Sequence, residues 1–182
     1  METGEIIKGS KTDDKDTARS RLAGKYLTFN LGKELYGVEI LKVQEIIGVL
    51  PVTKVPKTRN YIKGVINLRG KVIPVIDLRL KLDMEPQEYN EKTCIIVVNI
   101  SLAGQSMAVG VVVDSVREVY NFSEEQIEFA PRFGVDVDSS AILGIGKINE
   151  SIVMLLDINK ALSSADMALL DSVAAAGETA AA

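Results

Sequence analysis

The sequence predicts a mainly β protein made of two related units that share one core. Three observations lead there: a succession of short, β-branched runs separated by turn residues, an internal repeat, and a scarcity of helical periodicity. The runs are YLTFNL, ELYGVEI, GVINL, KVIPVIDL, TCIIVVNI, SMAVGVVV, VREVYNF and SIVMLLDI.

Taken in order, YLTFNL and ELYGVEI flank Leu31-Gly32-Lys33-Glu34, a hairpin turn. ILKVQEII (40–47) then reads as a short helix with Ile40, Val43 and Ile47 on one face. GVINL and KVIPVIDL are joined by Arg69-Gly70, where Gly70 is free to take a positive φ. Pro74 cannot donate to a ladder, so it belongs at an edge or a bulge. A third turn falls at Ser101–Gln105 between TCIIVVNI and SMAVGVVV. Near the end, Ser163-Ser164-Ala165-Asp166 has the form of a capping box. Met167, Leu170 and Val173 follow at helical spacing and predict a closing helix over 165–175. Residues 1–24 are polar and read as a disordered leader, and 174–182 (AAAGETAAA) as a flexible tail, leaving one domain over 25–173.

The repeat is gapless. Residues 62–82 superpose on 142–162, eighty positions later: Gly64 on Gly144, Val72-Ile73 on Ile152-Val153, Asp77-Leu78 on Asp157-Ile158. A second match places 37–46 on 110–119, with Glu45 on Glu118. Two five-strand units of this kind can form paired small barrels, which also hides strand edges. Arg69-Gly70-Lys71 has no counterpart; Asn149-Glu150-Ser151 stands in its place.

Composition excludes several chemistries. There is no histidine and one cysteine, so the chain holds no Ser-His or Cys-His nucleophile pair, no phosphorylatable histidine, no Cys/His zinc set and no internal disulfide. Cys94, within CIIVV, reads as a buried inert thiol. The net charge of −4 and nine Tyr and Phe residues argue against nucleic-acid binding, whose alternative here is a small β-barrel module. No apolar run is long enough for direct membrane insertion.

The remaining motifs each have a plain structural reading beside the functional one. Asp77 and Asp157 end equivalent strands and read as caps of a following turn or helix rather than an acid-base pair. Leu143-Gly144-Ile145-Gly146-Lys147 lacks phosphate-loop spacing, and Asp136, Asp138 and Ser140 lack the glycine and glutamate of a calcium loop. Arg69 and Lys71 mark either a solvated turn or a positive tip that pairs with a partner's carboxylate. The mixed segment of Lys42, Val43 and Glu45 is either an outer surface or the rim of a protein-binding site.

Taken together, YLTFNLGKELYGVEILKVQEIIGV, YIKGVINLRGKVIPVIDLR, SMAVGVVVDSVREVYNFSEEQIEFAP, LGIGKINESIVMLLDINKAL and the closing MALLDS resemble the CheW family of chemotaxis coupling proteins over residues 25–173. The resemblance implies two intertwined, five-stranded SH3-like barrels with a core between them, short helices and a C-terminal helix. It implies a non-catalytic, cofactor-free cytoplasmic adaptor, recruited to membrane receptor arrays through its protein partners. Those partners are the cytoplasmic tip of methyl-accepting chemoreceptors and the regulatory domain of the histidine kinase CheA. The positions matching the family's receptor-facing groove are Val43, Glu45 and Arg69, with Lys63 and Gly64 nearby; kinase contacts use barrel ends and are not placed on residues. The chain has no room for a kinase core and lacks the receiver domain of CheV. An adaptor serving a non-motility chemosensory pathway is the alternative within the family.

Overall fold

The computed structural model describes residues 17–102, 104–129 and 141–180. Strands make up about half of the described residues, which sets the protein in the mainly β class. In chain order they are β1 (Gly24–Leu31), β2 (Glu34–Glu39), β3 (Val43–Gly48), β4 (Ile62–Leu68), β5 (Lys71–Asp77), β6 (Cys94–Leu102), β7 (Gln105–Val113), β8 (Ser115–Phe122), β9 (Ile127–Glu128), β10 (Ile142–Ile148) and β11 (Ser151–Leu156). The helices are α1 (17–22), α2 (Leu78–Lys81), α3 (Ile158–Ala161) and α4 (Ser164–Ala180).

The strands form two sheets. The central one, from the middle of the chain, has the order β3-β6-β7-β5-β4; the terminal one, from both ends, has the order β8-β1-β2-β11-β10-β9. Neighbours are antiparallel except for two parallel pairs, β5 with β7 and β2 with β11. Those two pairings show how the units intertwine. The first repeat is β1 to β5; the second is β6, β7, β8, β10 and β11. Each sheet takes its first two strands from one repeat and its last three from the other.

Each sheet is also drawn closed by the chain that follows its edge strand. After β3, Thr53 pairs with Val65 of β4 through two backbone bonds of 2.9 Å. After β8, the two-residue β9 pairs with Ile145 and Gly146 of β10. Both closures need a glycine opposite. A Cβ on Gly64, at φ 138°, would fall on the Thr53 carbonyl; one on Gly144 would come within 2.8 Å of the Glu128 carbonyl oxygen. The recurrence of this glycine in the repeat therefore has a steric cause.

Side chains on both faces of the sheets are buried, as two curled sheets back to back require. One cluster lies between them and includes Leu27, Phe29, Leu31, Ile76, Ile96, Val111 and Leu156. A smaller cluster fills the central barrel (Ile66, Ile73, Val75, Ile95, Val97, Val112), and another the terminal barrel (Tyr26, Phe122, Ile127, Val153, Leu155). Burying one such side chain stabilises the fold by roughly 1.5–3 kcal/mol.

Several expectations change here. Residues 40–47 are not a helix: Ile40–Lys42 form one 3-10 turn, and Val43 onward pair with β6, from Val43 opposite Val98 to Gly48 opposite Cys94. Tertiary pairing overrides the local apolar spacing. Pro74 sits in β5, an interior strand, but pairing with β7 begins only at Val75, so its missing donor is not needed on that side. The register shift lies next to it, between Ile62 and Gly64 opposite Ile76 and Val75, while Pro74 itself pairs with Val65. Residues 17–22, expected within a disordered leader, are helical, and α4 runs to Ala180, past the expected end at 175. Cys94 is half-buried rather than buried, its thiol donating to the Lys92 carbonyl. Asp136, Asp138 and Ser140 lie outside the described residues.

Both repeat-related aspartates act as caps. Asp157 accepts from the Asn159 and Lys160 amides at the start of α3. Asp77 is buried, accepts the Tyr89 hydroxyl at 2.9 Å and makes a long contact to the Leu80 amide.

Candidate protein-binding surface

The β4–β5 hairpin turns on Arg69 and Gly70, both in the left-handed region at φ 51° and 85°. Positive φ at both central residues matches the twist of the flanking strands. Gly70 enters that region freely; an arginine there carries strain on the order of 1 kcal/mol. Asn67 offsets part of this by accepting the Gly70 amide at 2.8 Å through its side-chain oxygen. The turn thus presents Arg69 outward with 71% of its side chain exposed.

The guanidinium bends back to β3, where it makes a two-pronged pair with Glu45; the Nη1–Oε2 distance is 3.1 Å. This pair, with its hydrogen bond and charge, raises the already high Arg69 pKa, so the cation is permanent. It spans the seam of the central barrel, between the edge strand β3 and the end of β4 next to the turn. Val43, two residues before Glu45, is half-buried against the core between the sheets. A register shift between Val43 and Glu45 separates the two in the β3–β6 ladder.

Lys63 and Gly64 belong elsewhere. They lie at the opposite end of β4 from Arg69. Lys63 sits 5.8 Å from the Tyr89 ring centroid, and Gly64 belongs to the barrel closure. The five sequence-chosen positions therefore divide into a seam group (Val43, Glu45, Arg69) and two residues at the far end of the same strand.

The hairpin is braced from behind by α4. Gly177 packs so closely on Val65 and Val72 that a Cβ would stand 2.8 and 2.9 Å from their methyls. The helix is fastened at its start by Asp166, only 1% exposed. Asp166 accepts the Ser163 amide and hydroxyl at 2.8 and 2.9 Å, the Lys81 ammonium at 2.7 Å and the Tyr61 hydroxyl. Ser163 answers by accepting the Asp166 amide, completing the cap expected from the sequence. Burial alone would raise the Asp166 pKa, but the bonds from Lys81, Tyr61 and Ser163 outweigh it and hold it at about 2. Burial and the bond to Asp166 push Tyr61 up to about 12. Only the Ser163–Asp166 spacing was legible in the sequence; nothing there linked Tyr61 or Lys81 to it.

Among the described residues no group of three or more His, Cys, Asp or Glu side chains could hold a metal. No helix there is long and apolar enough to cross a membrane. The hairpin tip thus carries an exposed charged pair, with the capped α4 packed behind its strands.

Residues 25–166 match the CheW-like domain, and the chain belongs to that family. It is 46% identical over 160 residues to the chemotaxis protein CheW of Klebsiella aerogenes, covering 85% of this chain and 94% of that one. The CheW of Bacillus subtilis is 35% identical over 147 residues, covering 80% and 91%. Among solved structures, the scaffolding protein TtCheW of Thermoanaerobacter tengcongensis superposes with a TM-score of 0.70 at 33% identity, covering 79% of this chain and 95% of that one. The protein is thus a chemotaxis adaptor of the CheW type, not an enzyme.

Proposed function

We propose that this adaptor binds the cytoplasmic tip of chemoreceptors through the Arg69–Glu45 seam and holds the regulatory domain of the kinase CheA at the same time. It would thereby place kinase activity under receptor control within arrays at the cytoplasmic face of the membrane. The observation that carries the reading is the Arg69 tip: an exposed, permanent cation whose fork geometry suits a carboxylate. Glu45 already occupies one side of the fork, which orients the guanidinium before a partner arrives. Val43 supplies the neighbouring apolar contact. A scaffold transmits a signal when its contacts differ between receptor states, so this seam should bind one receptor state more tightly than the other.

The test is titration of a receptor-tip fragment with Arg69→Glu. Affinity should fall about tenfold or more if the arginine is a hot spot, with the circular dichroism spectrum and melting temperature unchanged. Wild-type affinity in the folded variant overturns the assignment.

A further inference from the structure

We propose that α2, the single helical turn after β5, fixes the angle between the two barrels, with Arg79 and Lys81 as its positioning residues. The functional side of this rests on the adaptor reading, because two partners held by one scaffold meet only in the geometry its barrels impose. The core between the sheets is apolar. Apolar burial has no preferred direction, so charged hydrogen bonds across the interface are what single out one angle.

The chain passes between the barrels three times. It goes from β2 to β3 through Ile40–Lys42, from β7 to β8 at Asp114, and from β11 through α3 to α4, which packs on the central hairpin. The helix α2 grips two of these passages. Arg79 donates from Nε and Nη2 to the two oxygens of Asp114 at 2.7 and 2.9 Å, and from Nη1 to the Glu85 carbonyl at 2.7 Å. The oxygen that accepts Nη2 also accepts the Gly32 amide, in the β1–β2 turn, at 2.7 Å. One carboxylate thus joins α2 of the central barrel, the crossing chain and the terminal barrel. Lys81, two residues on, donates at 2.7 Å to Asp166, where α4 begins, and stands 4.6 Å from the Tyr61 ring centroid. The helix itself is seated by Leu78, which is fully buried.

Both pairs are shielded from water. The Arg79 and Asp114 side chains are 13% and 20% exposed, whereas the Arg69–Glu45 and Lys147–Glu128 pairs are more open. Shielding strengthens the attraction, so these pairs hold an orientation that surface pairs do not. Burial would raise the Asp114 pKa, but the bonds from Arg79 and the Gly32 amide outweigh it and hold it below the usual range.

The repeat shows that the grip is no part of the shared frame. Asn159 and Ala161 of α3 stand where Arg79 and Lys81 stand, and Leu41 where Asp114 stands. Asn159 accepts the Ser101 amide at 3.0 Å, while Leu41 turns to water, 90% exposed. A cavity of about 150 Å³ lies between that passage and α3, lined in part by Lys42, Leu143 and Asn159. One passage is left open and two are clamped by a single turn of helix. Because α2 continues directly from β5, the clamp also ties the angle to the Arg69 hairpin.

The experiment places spin labels on the full chain at Lys71→Cys and Ser151→Cys, exposed and repeat-equivalent positions on the two barrels, with Cys94→Ser. Pulsed dipolar spectroscopy should give one narrow distance distribution. Arg79→Gln should at least double its width, and Asp114→Asn, which keeps the side-chain shape, should do the same. Arg79→Lys, which keeps the charge without the fork, should fall between, and Lys81→Gln should broaden it less. In the unlabelled protein, Arg79→Gln should lower receptor control of CheA activity fivefold or more. Its separate affinities for a receptor-tip fragment and for the purified CheA regulatory domain should each change less than twofold. A distribution as narrow as the parent's in folded Arg79→Gln and Asp114→Asn proteins overturns the proposal, as does full receptor control in a variant whose distribution has broadened. Failure of the wild type to bind either probe would instead overturn the adaptor reading, while the distances still decide the role of α2.

Discussion

The tips of the two repeat-related hairpins, Arg69-Gly70 and Asn149-Glu150, grow from the same backbone plan yet are finished differently. Apolar positions, closing glycine and capping aspartate recur in both. At the first tip an arginine is held at positive φ, tied to Glu45 and braced by α4 through Val65 and Val72. At the second, Asn149 takes φ 52° and no cation crosses to Glu118. The difference teaches that duplication supplied the frame, and that the surface chemistry diverged where the frame does not constrain it, at two residues of a turn.

The strongest way to break the comparison is to remove what the tips share. Gly64→Ala places a Cβ on the Thr53 carbonyl and should destabilise the protein by about 3 kcal/mol, measured by urea unfolding. Gly144→Ala meets a milder obstruction at 2.8 Å and should cost about half as much. Equal losses would mean that the tighter clearance at Gly64 does not set the cost. Gly64 then tests as a folding residue, and receptor affinity per folded molecule should stay unchanged.

The bracing of the first tip comes next. Asp166→Asn keeps the side-chain shape but leaves Lys81 without its anion, at about 2 kcal/mol. The pH dependence has a definite sign. The folded-state pKa of Asp166 lies below its ordinary 3.8, so its stabilisation is complete above that value and is lost as pH falls toward about 2. Acid unfolding followed by circular dichroism should show a shallower loss between pH 4 and 2 in the variant than in the wild type. Identical acid limbs would detach Asp166 from the stability of α4.

The smallest effect is also the sharpest for the comparison. Asn149→Arg supplies the second tip with the missing cation opposite Glu118. Both residues are exposed, so melting should shift little. The small rise expected should vanish at high salt; no rise at low salt would show that an arginine at 149 does not reach Glu118.

Much of this frame was legible in the sequence. The hairpin turns at Gly32, Arg69-Gly70 and Gly104 were visible because turn chemistry is local. The repeat was visible because both copies obey one packing plan. The strand at 43–48 was misread because Ile40, Val43 and Ile47 also satisfy a helical period, and only the partner strand β6 resolves the ambiguity. The Arg69–Glu45 pair and the Asp166 network join residues 24 and 85 to 105 positions apart, so no local rule reaches them. The Ser163–Asp166 cap, three residues long, was found.

The exchange of strands between repeats has a consequence for synthesis. The central barrel cannot be completed until β7 has left the ribosome, because β5 must pair in parallel with it. The terminal barrel waits for β11, since β2 has no partner on that side before then. At a synthesis rate of roughly 5–20 residues per second, the β1–β2 hairpin lacks its outer partners β8 and β11 on the nascent chain for several seconds. Neither half of the gene therefore encodes an independently folding piece, and cutting the chain between the repeats separates the sequence without separating the barrels.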